Sequence, residues 1–190
     1  MCGGGPEGET RSYSRRVGVG RDECAWVRGA QAGSVSDLEA LFKLHWPRAY
    51  RAAYLVCHDA AASEDIAQEA FLAAVRALDR FDRRRPFGPW LHRIVVNRAI
   101  DWSRARTLRA EVELHETATE TVLPSGNSNT VASALASLSP EHRAVIVLRY
   151  LLDYTPGEIA ELLELPRGTV NSRLRRGLDA LEPRLREGVR

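Results

Sequence analysis

The stretch from residue 155 to residue 181 constrains the fold more than any other part of this sequence, because it predicts two short helices joined by a tight turn. Thr155 can cap the first helix, Pro156 suits its first position, and Glu158 stands at the spacing of a capping box. Pro166 ends this helix, since proline has no backbone N–H and restricts the residue before it. The stretch therefore predicts a helix-turn-helix.

The second helix of this pair, predicted to begin near Arg167, has one apolar and one polar face. Its predicted inward residues repeat at a spacing of four: Val170, Leu174 and Leu178. Its opposite face carries Asn171, Ser172, Arg175 and Arg176. Such a helix suits a DNA major groove, where arginine can donate two hydrogen bonds to guanine and asparagine can pair with adenine. An ordinary helical hairpin with a solvated basic face is the alternative.

Charge is distributed unevenly along the 190 residues, although the net charge is only +2. Residues 80–109 contain nine arginines and two aspartates, and residues 167–190 contain seven arginines against three acidic residues. Two separate basic segments in a nearly neutral chain favour two contacts with a polyanion. Solvated arginine is the alternative, since the composition uses arginine almost to the exclusion of lysine.

Cysteine usage argues against a disulfide framework. The three cysteines are Cys2, Cys24 and Cys57, an odd number with no CxxC pair. A metal or redox site at Cys57-His58 lacks the second close ligand pair that four-fold coordination needs. We therefore predict that Cys57 is a buried thiol beside a helix end.

The sequence gives little support to several other classes of protein. A metal hydrolase would have to use His45, His58 and His92, and no ligand spacing supports it. No apolar run approaches the length of a membrane span. Arg15-Arg16 resembles a twin-arginine signal but lacks the apolar core that should follow it. We predict a cytoplasmic protein without membrane insertion, enzymatic activity, metal or cofactor.

Hydrophobic periodicity predicts an all-α fold of two small helical domains joined by a flexible linker. The N-terminal domain has a short helix over residues 22–31, a helix or helix pair over 34–57, a helix capped by Ser63, and a helix over 90–106. The C-terminal domain adds helices around 131–138 and after Ser139 to the helix-turn-helix. The predicted boundaries are a disordered tail at 1–20, domains at 21–107 and 130–187, and a linker at 108–129.

The loop predicted at residues 79–89 is unusual because it combines four arginines with two phenylalanines. Arginine can hold phosphates, and aromatic rings offer stacking surfaces to unpaired bases. The helix that follows carries Arg93, Asn97, Asp101 and Arg104 along one stripe. Loop and stripe together predict a second nucleic-acid contact.

Three ordered stretches resemble the sigma-70 family of RNA polymerase sigma factors, in its extracytoplasmic-function (ECF) class. They are SEDIAQEAFLAAVRAL, FGPWLHRIVVNRAIDWSR and LSPEHRAVIVLRYLLDYTPGEIAELLELPRGTVNSRLRRGLDAL. The resemblance covers about residues 22–185 and is to the minimal form, with regions 2 and 4 only. It implies a monomer that binds core RNA polymerase, at the beta-prime coiled coil and the beta flap, and directs it to promoter DNA. It also implies an anti-sigma factor as a further partner.

The resemblance also implies roles for individual residues. Polymerase binding is implied for Asp65, Gln68, Glu69 and Leu72, with Phe71 in the same motif but in the helical phase of a core residue. Minus-ten recognition and melting are implied for Phe81, Arg84, Phe87, Trp90, Arg93, Asn97, Arg98 and Asp101. Minus-thirty-five recognition is implied for Arg167, Thr169, Asn171, Ser172, Arg173, Arg175 and Arg176.

The helix-turn-helix departs from the family at two positions. Glu164 stands in the turn where the family usually has glycine, so a positive φ there would strain the backbone. Gly157 stands where a larger helix former is usual. A stand-alone helix-turn-helix regulator remains an alternative, but it would need a dimerisation element and leaves the loop of arginines and phenylalanines unexplained.

Overall fold

The structure is a computed structural model that describes residues 20–116 and 130–187. Within these ranges the regular structure is entirely helical, which confirms the all-α prediction. The helices are α1 (Gly20–Gln31), α2 (Val35–Cys57), α3 (Ala60–Ala77), α4 (Phe87–Glu116), α5 (Thr130–Ala136), α6 (Pro140–Ile146), α7 (Pro156–Leu163) and α8 (Arg167–Glu187). A 3-10 turn at Leu78–Arg80 follows α3, and a π-helical turn at Val147–Leu151 follows α6. The predicted tail, apart from Gly20, and the later part of the predicted linker lie outside the described residues.

Helices α1 to α4 form what we term the N-terminal unit, packed around alanine-rich contacts. Seven alanines of α2, α3 and α4 are completely buried: Ala49, Ala52, Ala53, Ala67, Ala70, Ala74 and Ala99. Small side chains let the three helix axes approach closely, and larger residues such as Leu41 and Leu91 fill the remaining space. Pro47 lies inside α2 without ending it, so the predicted helix or helix pair is a single helix.

The predicted start of α3 at Ser63 is wrong. Asp59 caps the helix instead, and its Oδ1 accepts a hydrogen bond from the Ala62 N–H at 2.9 Å. Ala60, Ala61 and Ala62, which precede the predicted start, are strong helix formers and make the first turn of α3. Ser63 is buried, and its hydroxyl donates to the Asp59 carbonyl.

Helix α4 begins at Phe87, three residues before the predicted start at Trp90. Pro89 is compatible with this because the first N–H groups of a helix have no partner within the helix. The Gly88 N–H donates instead to the buried carboxylate of Glu23, at 3.2 Å. The last described residue of α4 is Glu116.

The helix-turn-helix is confirmed in the C-terminal unit, which we define as residues 130–187. Thr155 Oγ1 accepts from the Glu158 N–H at 3.3 Å, and the Glu158 carboxylate accepts from the Thr155 N–H at 2.7 Å. Helix α8 begins at Arg167 as predicted. Between α7 and α8, Glu164 has a φ of 53°, the left-handed conformation expected of a glycine position.

The inward face of α8 differs from the prediction at one residue. Val170 and Leu174 are buried, but Leu178 is 40% exposed. With about 3.6 residues per turn, each step of four rotates the side chain by about 40°, so the third residue of the series leaves the core face. Gly177 and Leu181 take its place, and a Cβ on Gly177 would lie only 2.7 Å from the Ile146 side chain of α6.

Thr155→Ala is expected to lower the free energy of unfolding by about 1 kcal/mol, because α7 loses its N-cap acceptor. Urea unfolding of the full chain, followed by far-ultraviolet circular dichroism, measures the change. Thr155→Ser keeps the hydroxyl and should keep the stability. An equal loss in both variants would assign the effect to packing of the threonine methyl group.

Candidate functional site

An apolar groove runs between α2 and α3 on the surface of the N-terminal unit. It has a volume of about 400 Å³ and is lined by Val35, Leu38, Glu39, Phe42, Gln68, Phe71, Leu72 and Val75. Val35 is 78% exposed and Leu72 is 54% exposed, although both are large apolar side chains. A contiguous apolar surface of this kind is characteristic of an interaction site.

The four residues predicted to bind polymerase are all exposed on α3. Gln68 and Leu72 line the groove, whereas Asp65 lies outside its lining. The Glu69 carboxylate pairs with Arg98 of α4. Phe71 is buried at 6% exposure, as its helical phase predicts, and forms part of the groove floor.

The sequence analysis missed the half of the groove that α2 provides. Val35, Leu38 and Phe42 recur at i, i+3 and i+7, so they share one face of the helix. Helical spacing alone does not distinguish a core face from an exposed one, and Phe42 is 40% exposed. Its ring packs with its centroid 4.9 Å from that of Trp46, which holds it at the groove edge.

The loop before α4 and the first turn of α4 hold an aromatic cluster. The ring centroids of Phe81 and Trp90 are 4.5 Å apart, and Phe87 lies 5.6 Å from Trp90. Phe87 is buried and also packs against His45, so here it supports the loop from below and offers no open stacking face. The Gln31 side-chain amide fixes the loop by donating to the carbonyls of Leu78 and Phe81.

Arg84 is bound to an acidic neighbour in the same loop. Its Nε lies 3.0 Å from Oδ1 of Asp82, and its Nη2 lies 3.1 Å from Oδ2. This bidentate hydrogen bonding holds the pKa of Asp82 below its usual range. Arg83 and Arg85, which the sequence analysis did not single out, are exposed on either side. The loop therefore presents a cluster of guanidinium groups beside an aromatic surface.

The outer stripe of α4 consists of Arg93, Asn97, Asp101 and Arg104, with Arg98 beside it. Arg93, Asn97 and Arg98 are half-buried, and Asp101 is exposed. Three arginines of this region meet carboxylates: Arg93 pairs with Glu164, Arg98 with Glu69, and Arg104 with Glu141. The structure therefore brings the predicted minus-ten residues Arg93, Asn97, Arg98 and Asp101 of α4 onto one surface. Phe87, at the start of the same helix, is buried instead.

The first turns of α8 present the residues predicted to read the minus-thirty-five element. Arg167, Asn171, Arg175 and Arg176 are exposed, and Thr169, Ser172 and Arg173 are half-buried. The Ser172 hydroxyl donates to the Thr169 carbonyl at 3.0 Å. The exposed guanidinium and amide groups have the donor chemistry that base edges in a major groove accept.

The remaining predictions concern metals and membranes. Residues 20–116 and 130–187 contain no group of three or more His, Cys, Asp or Glu side chains placed to hold a metal ion. Cys57 is a buried free thiol at the end of α2, as predicted, with Sγ 3.2 Å from Ser63 Oγ. None of the helices in the same described ranges is long and apolar enough to cross a membrane.

Family models and known proteins match both units. The family described as sigma-70 region 2 matches residues 41–109, and the family described as sigma-70, region 4 matches residues 128–181. The ECF RNA polymerase sigma factor SigW of Bacillus subtilis is 34% identical over an alignment of 178 residues, and the match covers 85% of this chain and 94% of that protein.

Two solved structures are similar over most of the chain. CnrH, in complex with the cytosolic domain of CnrY, has a TM-score of 0.67 and 30% identity over 87% of this chain and 98% of its own. The sigma factor RpoE in complex with the anti-sigma factor NepR, from Bartonella quintana, has a TM-score of 0.65 and 23% identity, a likeness of fold, over 80% of this chain and 98% of its own.

The chain therefore belongs to the sigma-70 family of RNA polymerase sigma factors. Within that family it is an ECF sigma factor, so its activity is promoter-directed transcription initiation.

Proposed function

We propose that this sigma factor binds core RNA polymerase through the apolar groove, opens the minus-ten element with the loop and α4, and reads the minus-thirty-five element with α8. The observation that carries the proposal is the groove, because it is an apolar surface on an otherwise polar helix face and coincides with Gln68 and Leu72. The minus-ten and minus-thirty-five roles are assigned to different units because the two matched family regions fall on separate units.

The groove has the chemistry of a docking site for a helical partner. Val35, Phe42 and Leu72 supply apolar contact, and Glu39 and Gln68 supply a polar rim. An amphipathic helix, such as one arm of the beta-prime coiled coil, places an apolar face into such a groove. Asp65 and Glu69 flank the groove on α3 and add charge that can select the register.

The loop and α4 have the chemistry needed to hold a melted strand. Extruding bases costs a few kcal/mol per step. Stacking on Phe81 and Trp90 offsets that cost, and the guanidinium groups of Arg84, Arg93 and Arg98 bind the phosphates. Phe87 keeps Trp90 in position from the core. Asn97 and Asp101 supply hydrogen-bonding groups for base edges.

The domain boundaries belong to the same proposal. A polymerase-binding and minus-ten domain spans residues 21–107, and a minus-thirty-five domain that also meets the beta flap spans 130–187. Residues 108–129 join them. The two family matches, at 41–109 and 128–181, support this division.

The localisation, the oligomeric state and a further protein partner are part of the same proposal. The chain works in the cytoplasm as a specificity subunit with no catalytic step of its own, and it is a monomer when free. An anti-sigma factor binds it and withholds it from polymerase. The complex of CnrH with the cytosolic domain of CnrY supports a protein partner of this kind, since CnrH is similar across both units.

Leu72→Ala is expected to weaken binding to core RNA polymerase by about tenfold, since burying a leucine side chain contributes about 1.5–3 kcal/mol and alanine retains part of it. Leu72 is 54% exposed, so stability should stay within about 0.5 kcal/mol of the parent protein. Fluorescence anisotropy with labelled protein and core enzyme measures the affinity.

Leu108→Ala is the matched control, because Leu108 is 62% exposed but lies on α4, outside the groove lining. It should bind core enzyme as the parent protein does. The double variant Asp65→Ala, Gln68→Ala tests the polar flank of the groove and should also weaken binding. Parental affinity in both Leu72→Ala and the double variant would move the polymerase site elsewhere.

Arg176→Ala is expected to reduce promoter discrimination at one base pair by about 1–3 kcal/mol, because a guanidinium can donate two hydrogen bonds to guanine. The measurement compares initiation on a promoter with initiation on its single-base variants. Arg184→Ala, in the last turn of the same helix, removes the same charge away from the reading face and controls for electrostatic attraction. An equal loss of initiation on all sequences would make Arg176 a phosphate contact.

Run-off transcription with core RNA polymerase and sheared genomic DNA of the host tests the activity itself. The protein should produce new discrete transcripts, and the sequences upstream of their starts would define both promoter elements. No binding to core enzyme and no transcript would contradict the proposal.

A further inference from the structure

Helix α1 (Gly20–Gln31) lies outside the region 2 match, which begins at residue 41, and none of its residues has a role in the proposed function. Its inward face carries Glu23, Val27 and Gln31 at a spacing of four. Glu23 and Val27 are buried, and Gln31 is half-buried. The two polar side chains of this face reach the two ends of the loop before α4, which is the loop proposed to hold the melted strand.

Gln31 is bonded to the start of that loop. Its Nε2 donates to the carbonyl oxygen of Leu78 at 2.8 Å and to that of Phe81 at 3.1 Å. A glutamine amide has two N–H groups, so both of its donors are used. The Phe81 N–H donates to the same Leu78 carbonyl at 3.0 Å. The backbone of Phe81 is therefore held at both its N–H and its carbonyl group.

Glu23, two turns earlier on α1, is bonded to the end of the same loop. Its carboxylate accepts the N–H of Gly88, in the first turn of α4, at 3.2 Å. Two residues of one helix thus hold the loop at both ends. A rise of 1.5 Å per residue separates Glu23 and Gln31 by about 12 Å along the helix. Because a helix keeps this separation, α1 sets the span of the loop.

Helix α1 is itself held against α2 by a close contact and a tight turn. A Cβ on Gly29 would lie 1.8 Å from Oδ2 of Asp37, so a larger residue would have to displace that carboxylate. Gly33, with a φ of 89°, follows the end of the helix and reverses the chain. The Ser34 N–H then donates to the Gly29 carbonyl at 2.9 Å. Gln31 therefore lies in a short segment that has little freedom to move.

The ring of Phe81 belongs to the surface proposed to stack on an extruded base. The ring centroids of Phe81 and Trp90 are 4.5 Å apart, and both side chains are half-buried. Trp90 is placed by α4, whereas Phe81 depends on the loop for its position. A base can stack across both rings only while the loop keeps Phe81 beside Trp90. Gln31 therefore acts on the stacking surface through the backbone of Phe81.

We propose that Gln31 is a positioning residue for promoter melting, which keeps Phe81 beside Trp90 by bonding the carbonyls of Leu78 and Phe81. This inference rests on the proposed function for its assignment of the two rings to the melted strand. Gln31 acts without contacting DNA. Because the loop is fixed in advance, the strand binds without having to order it, which is a cost that flexible loops add to binding.

Gln31→Met is expected to weaken binding of a single strand about five- to tenfold, because it keeps the length of the side chain and removes both donated hydrogen bonds. The probe is a fluorescein-labelled oligonucleotide of mixed sequence, about ten nucleotides long. Anisotropy measures its binding to holoenzyme assembled from core RNA polymerase and the full chain, with core polymerase alone as the baseline. An abasic strand of the same length offers phosphates without bases, and its affinity should be the same in Gln31→Met and the parent protein.

A double-mutant cycle with Trp90 separates positioning from a general loss of stability. In a Trp90→Ala background, Gln31→Met should bring no further loss of strand affinity, because the surface that Gln31 positions is already absent. Ala25→Met is the matched control, since it places the same side chain on an exposed position of α1. It should bind the strand as the parent protein does. An equal loss in both backgrounds, or an equal loss on the abasic strand, would overturn the proposal.

Amide hydrogen exchange of the free chain tests the position of the loop without DNA. The Phe81 N–H donates to the Leu78 carbonyl, and the Arg85 N–H donates to the Asp82 carbonyl at 2.9 Å. In Gln31→Met the exchange of both amides should be about tenfold faster, whereas exchange in the core of α2 should stay as in the parent protein. Unchanged exchange in the loop would overturn this inference alone. No strand binding by the parent holoenzyme would instead overturn the proposed function on which it rests.

Discussion

A buried carboxylate in the shortest helix of the N-terminal unit fixes the parts on which the other surfaces depend. Oε1 of Glu23 lies 2.9 Å from His45 Nε2 and accepts the Gly88 N–H at 3.2 Å. Glu23 is 6% exposed and His45 is 2% exposed, so these polar groups are shielded from water and hydrogen-bond to one another instead. The contact joins α1, α2 and the first turn of α4 in one polar cluster inside an apolar core.

The orientation of α4 follows from that cluster. A carboxylate is favourable at a helix N-terminus, where unpaired N–H groups point outward, so Glu23 stabilises α4 where it begins. Phe87 then packs against His45, and Trp90 packs against Phe87. One helix thus positions the aromatic cluster at its start, the arginine stripe along its length, and His92 on its buried face. Because these groups share a rigid element, a change in what covers α4 affects all of them.

Local signals in the sequence were sufficient for much of this structure. The Thr155 capping box and Pro166 act within a few residues, so the helix-turn-helix and its left-handed turn at Glu164 could be predicted. Errors arose where two local solutions compete: Asp59 and Ser63 are both good caps, and only packing buries Ser63. The α2 half of the groove was missed because the helical spacing of apolar residues is the same for a core face and a docking face.

Contacts between distant residues were beyond prediction from one sequence. Nothing local joins Glu23 to Gly88, His92 to Tyr154, or Arg93 to Glu164, since each pair depends on how helices cross. The sequence pointed to the backbone conformation of Glu164, because glycine is usual at that position. It did not indicate that the Glu164 side chain forms an ion pair with Arg93 of α4. The individual contacts with polymerase and DNA remain predictions.

The apolar groove has a thermodynamic consequence. Covering Val35, Phe42 and Leu72 removes apolar surface from water, so association with polymerase should carry a negative heat-capacity change and a weak dependence on salt. Arginine contacts with phosphate release counterions, so promoter binding weakens steeply as salt rises. If the groove and the arginines act as proposed, temperature acts mainly on association with polymerase, and ionic strength acts mainly on association with the promoter.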